Sequence, residues 1–263
     1  MLDASLSYRL VSRDLPASLE RTAQDPTVER ASQQYLEEVG KITSIDEFLS
    51  NDRVYRYAMK AMGLEDMTYA KAFMRKVMEE GVDSKEAFAN QLTDDRYKEF
   101  AEVFNFHRYG DTALAFDRTQ QGIVDRYVRQ TLEENTGTKS EGARLALYFE
   151  RKADSITSYY GLLAEPALLK VMQTAFSIPE ETGSMDIEKQ ADLFRKALPN
   201  LEDLKDPEKV GELLQRFTAL WDANNSTVAP TSPALQLMGG GGGSGGVNGD
   251  MLMTLQTNRN TGF

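Results

Sequence analysis

The chain contains no cysteine. A disulfide framework, thiolate catalysis, iron–sulfur clusters and cysteine-ligated zinc are therefore excluded. Histidine is almost as scarce: His107 stands alone, so no site in this chain can combine two imidazoles. A basic surplus is missing too, because 30 Lys and Arg face 41 Asp and Glu, a formal charge of −11. A surface of that sign repels phosphate backbones and no local basic stripe compensates, so nucleic acid is not an expected partner. Long apolar runs are absent. One of the longest, Tyr159 to Ala164, falls far short of a bilayer span, so no membrane insertion is expected. Residues 1–20 hold Asp3, Arg9, Arg13 and Asp14 and no continuous apolar stretch, unlike a cleaved secretory signal.

Strand signals are also lacking. No stretch alternates convincingly with period two, and no Asn-Gly pair joins two β-branched runs. Helix signals fill the chain instead. Asp25-Pro26 reads as an N-cap with proline at the first helical position, ahead of Val28, Ala31, Tyr35, Leu36 and Val39. Ser44 and Glu47 form a capping box before Ile45, Phe48 and Leu49. Residues 52–63 put Val54, Tyr57, Ala58 and Ala61 on one face, and 66–80 repeat the scheme up to Gly81. Thr93 reads as the cap of a helix carrying Tyr97, Phe100 and Phe104. Further helices are predicted over 117–134, 139–164, 166–176, 184–197 and 207–222. Residues 107–116 lack a helical stripe and are predicted to be a connecting loop.

The expected fold is all-α, a duplicated multi-helix bundle with a flexible glycine-rich C-terminal tail. Ile42-Thr43-Ser44 recurs as Ile156-Thr157-Ser158 at an offset of 114, where Leu49 also matches Leu163 and Ala61 matches Ala175. Tyr35 matches Tyr148, and Phe104 matches Phe217, at 113. Ordered matches with small drift suggest two diverged halves; the alternative is convergent helix patterning. The organisation is then an amphipathic arm (1–24), a first half (25–106), a bridge of loop and helix (107–138), a second half (139–222) and a Gly/Pro-rich linker ending in a short helical peptide (223–263).

No constellation carries chemistry. His107 has Arg108 and Asp111 nearby, but no nucleophile elbow accompanies it, and a solvated or carbonyl-capping imidazole is the plainer reading. Acidic pairs such as Glu37-Glu38, Glu133-Glu134 and Glu180-Glu181 lack calcium-loop or Glu-x-x-His spacing and suit helix starts and solvated faces. The run Gly239 to Gly243 has no following Gly-Lys-Ser/Thr. Neither cofactor nor metal ligand is assigned, and the chain is not expected to be an enzyme. Candidate partner-binding residues are apolar positions near the two ends. Leu6, Leu10, Leu15 and Leu19 recur at spacings of four, after a register shift, in the arm. Met251, Leu252 and Leu255 form a short apolar face beyond the linker. A peptide on such a tether would dock in a groove of its own bundle or of a neighbour, or else remain a tail with accidental hydrophobics.

Several strings resemble one family. Ser7-Tyr8-Arg9-Leu10 with Arg13-Asp14-Leu15-Pro16, the run Tyr55 to Ala61, Gly63-Leu64-Glu65-Asp66-Met67, Tyr69 to Val77, Leu147 to Lys152 and Arg216 to Asp222 are similar to an alphaproteobacterial family of unknown function. Its members are encoded among flagellar genes, and some are labelled flagellar rod or basal-body proteins. With the lack of a catalytic constellation, the resemblance implies a non-enzymatic structural or assembly protein of the flagellum, bound to other flagellar components or to itself. Without a cleaved signal, such a chain is cytoplasmic or leaves by a route that uses none. A cytoplasmic adaptor or chaperone for flagellar export, and a metal-dependent hydrolase, are the alternatives. No catalytic residue is implied.

Overall fold

Asp3, Asp14 and Asp25 each turn a carboxylate onto the free N–H groups of the turn that follows, and three helices begin there. They are α1 (Ala4–Ser12), α2 (Leu15–Ala23) and α3 (Pro26–Val39). After them come α4 (Ile45–Ser50), α5 (Asp52–Ala61), α6 (Lys71–Glu80), α7 (Phe88–Gln91), α8 (Asp95–Val103) and α9 (Phe106–Tyr109). The longer α10 (Gln121–Gly137) leads to α11 (Glu141–Lys152), α12 (Tyr159–Ala164), α13 (Pro166–Ala175), α14 (Ile187–Ala197) and α15 (Pro207–Asn225). This computed structural model describes residues 3–225, and no strand occurs among them. The fold is all-α.

Two apolar cores form. The first gathers Phe48, Tyr55, Phe100 and Phe104, all fully buried, with the stacked rings of Tyr35, Tyr57 and Tyr127 along one side. The second gathers Phe149, Leu162, Phe194 and Phe217, and takes Tyr8 from α1. Between them runs α10, packed against α5 on one side and α11 on the other.

Local chemistry explains where helix boundaries depart from the apolar pattern. Asp14, with Pro16 in the following first turn, ends the arm's continuity and starts a second helix. The cap of α8 is Asp94 and not Thr93, because the Asp94 carboxylate accepts from Arg96 N. The segment read as one helix over 139–164 is interrupted at 153–158, where Ser158 caps α12 through Gly161 N. The helix expected from residue 66 begins at Lys71, after a 3₁₀ turn over Glu65–Met67. The first long helix likewise begins at Gln121, after a 3₁₀ turn over Asp117–Thr119. Within 107–116, expected to be loop, α9 and a 3₁₀ turn form after the Asn105 cap, and Ala113 and Leu114 are buried.

One pattern recurs in the backbone. The bounds of α4 and α5 reappear 114 residues on as those of α12 and α13. Leu49 and Leu163 are both buried. The turns that close α5 and α13 also agree: Leu64 N donates to Met59 O and Ile178 N to Gln173 O, each at 2.8 Å. Gly63 and Ser177, at the same place in the two turns, both have positive φ, +70° and +54°. The long helix before each pair, α3 or α11, packs against the second member of that pair.

Candidate functional site

The arm lies on the bundle by two small side chains and one aromatic ring. Ala4, Ser7 and Tyr8, at helical spacing, face α11, whose own buried face includes Gly142, Ala143 and Ala146. Small residues on both sides allow the close approach. Asp222 near the end of α15 fastens the arm's first turn, accepting from Ala4 N at 2.7 Å, Ser5 N at 3.0 Å and the Ser5 hydroxyl at 2.8 Å. Leu6 and Leu10 are thereby turned outward, 45% and 62% exposed. Leu15 is half-buried, and Leu19 packs against the first core. Leu10 also borders a groove of about 380 Å³ between the arm and the end of α10, walled by Leu132 and Thr136. Of the candidate residues in the arm, the fold thus exposes one i,i+4 pair, leaves Leu15 half-buried and packs Leu19. Met251, Leu252 and Leu255 lie outside the described residues.

A second feature escaped the sequence pattern. A cleft of about 280 Å³ opens where α8, α10, α11 and the start of α13 meet. Five cationic side chains line it (Arg96, Arg126, Arg144, Arg151 and Lys152) against two carboxylates, Glu99 and Glu165. Arg96 forks onto Asp94 and donates to the Gly63 carbonyl. Glu99 is shared: Lys152 Nζ donates to Oε2 at 2.8 Å, and Arg126 donates to Oε1. Burial acts to raise its pKa, and Lys152 and Arg126 overcome that and bring it down to about 2. Beneath the cleft Glu133, with a side chain 2% exposed, is held between Arg129 and Arg151, each with a contact of 2.8 Å. The Tyr148 hydroxyl donates to Glu165, and burial together with that carboxylate holds the phenol well above its usual range.

These cations are scattered from position 96 to 152 and interspersed with acidic residues, so no basic stripe announces them. Only helix packing brings them together. His107, by contrast, does what a lone histidine at a helix end does: Nδ1 meets the Glu79 carbonyl at 2.8 Å in the last turn of α6. The acidic pairs do not converge; among the described residues no group of three or more His, Asp or Glu is placed to hold a metal ion. No described helix is long and apolar enough to cross a membrane.

A family model described as a protein of unknown function, DUF1217, matches residues 61–210. The chain belongs to the DUF1217 family. Every residue lining the cationic cleft, from Ala61 to Ala167, falls inside the matched segment, whereas the arm precedes it. A solved relative is similar over most of its length: the X-ray structure of protein AGR_C_984 from Agrobacterium tumefaciens is 48% identical. The two superpose with a TM-score of 0.78, covering 84% of this chain and 93% of that one. None of the curated proteins compared matches the chain.

Proposed function

We propose that this DUF1217 protein is a non-enzymatic structural or assembly component of the bacterial flagellum that works through helical protein–protein contacts. The observation that carries the contact part is the outward i,i+4 pair Leu6–Leu10 on a helix whose opposite face is already packed. Two exposed leucines one turn apart form the smallest anchor of a helix-to-groove contact. The flagellar setting rests on the family resemblance; the source of the solved relative, Agrobacterium tumefaciens, fits the alphaproteobacterial part of that resemblance. That the two halves descend from one duplicated unit belongs to the same proposal, supported by the matching helix bounds and turn bonds at 45–64 and 159–178.

Tagged protein in the host is expected with purified hook–basal bodies or in the culture supernatant. The double substitution Leu6→Asp/Leu10→Asp should keep the far-UV spectrum and melting temperature of the parent, since both side chains are exposed. It should nevertheless lose that association. Recovery only from the cytosol would favour the export-adaptor reading, and normal association of the double variant would remove the arm from the contact.

A further inference from the structure

We infer that the cleft between α8, α10, α11 and α13 is a binding site for a compact oxyanion, a small solute carrying phosphate or carboxylate groups. The first argument is charge. In a chain of net charge −11, chance alone favours acidic linings, yet five of the seven ionisable carboxylate or cationic groups at this cleft are cations. The pairing is also incomplete, because the single carboxylate of Glu99 serves both Arg126 and Lys152.

The second argument is donor geometry. A guanidinium offers five N–H donors in a planar fork that matches two oxygens of a phosphate or carboxylate. Among the described residues, Arg126 uses only Nη1, on Glu99 and the Met62 sulfur, leaving Nε and Nη2 without a hydrogen-bond partner. Arg151 commits Nε and Nη2 to Glu133 and Gln130, leaving Nη1. Arg144 commits Nε and Nη2 to Glu141 and leaves Nη1. Three guanidinium groups from two helices thus reach one cleft with donors uncommitted. They are half-buried, where charge-assisted hydrogen bonds are less screened than at an open surface.

The third argument is size. About 280 Å³ lies at the lower edge of small-ligand pockets, which suits inorganic phosphate, pyrophosphate or a small polycarboxylate. The existing ion pairs hold the donors in place, so little ordering entropy opposes binding.

The test is calorimetric titration of the full chain with sodium phosphate, sodium pyrophosphate and sodium citrate at constant ionic strength. Saturable binding of at least one probe is expected. Arg126→Gln and Arg144→Gln should each weaken it about tenfold. Arg53→Gln, on the exposed face of α5 where Arg53 pairs with Glu38, should leave it unchanged. Saturation with pyrophosphate or phosphate alone assigns the site to phosphate groups, and with citrate alone to carboxylates. Arg144 pairs only with Glu141, an exposed residue one turn earlier in α11, so its variant keeps the test valid if Arg126→Gln misfolds. Absence of saturation for all three probes in the millimolar range, or equal weakening in Arg53→Gln, would overturn the inference.

Discussion

Glu99 shows at the scale of one residue how the charged seam is held. Its carboxylate, ordinarily near 4.5, titrates at about 2 because the ionised form is bound by Lys152 and Arg126 against the cost of burial. A depressed carboxylate pKa contributes stability that is complete above the unfolded value. That contribution is lost as the pH falls from about 4.5 to about 2. Glu99→Gln removes the pH-dependent share and leaves two half-buried cations sharing a neutral amide. The variant should be less stable than the parent by about 2 kcal/mol at pH 7, with the gap closing as the pH falls below 4. Urea unfolding at pH 7, 4 and 3 measures it, and a gap independent of pH would mean that Glu99 acts by packing alone.

Among the elements, the contact of α11 with α15 is the most demanding. A β-carbon at Gly142 would stand 2.4 Å from Trp221 Cδ1, and the indole is a rigid body that cannot swing aside as a long aliphatic chain can. Alanine is favoured over glycine in a helix by about 1 kcal/mol, so Gly142→Ala is a contest between propensity and overlap. Overpacking of 1–3 kcal/mol is expected to win, lowering the melting temperature in a thermal scan. This position also marks the limit of sequence reading. Apolar spacing and caps locate most helices, because the signals that start them (Asp25, Ser44) or end them (Gly81) act within one turn. Hydropathy does not locate the inner face of α1: the fold buries Ala4, Ser7 and Tyr8 against α11, while the most apolar positions, Leu6 and Leu10, stay exposed. The cationic cleft is invisible for a related reason. Its residues are neighbours only after α8, α10 and α11 have packed, and in the chain they are spread from position 96 to 152 among acidic residues such as Asp95, Asp125 and Glu150.

For the whole molecule, the two cores are joined through α10, and the first and last described helices are joined through Asp222. That second link spans more than two hundred residues of chain with three hydrogen bonds to one carboxylate. Its consequence concerns cooperativity. A helix of nine residues has little stability alone, so α1 stays folded only while it shares the bundle's free energy. Asp222 is one of the groups through which it does so. Without it, the arm becomes a separately opening unit, and its amides exchange with solvent by a local route while those of the cores still require global unfolding. In Asp222→Ala, deuterium should therefore enter residues 4–12 much faster than in the parent, with exchange in α5 and α11 unaltered. Uniform acceleration across all three helices would show that arm and bundle unfold as one body.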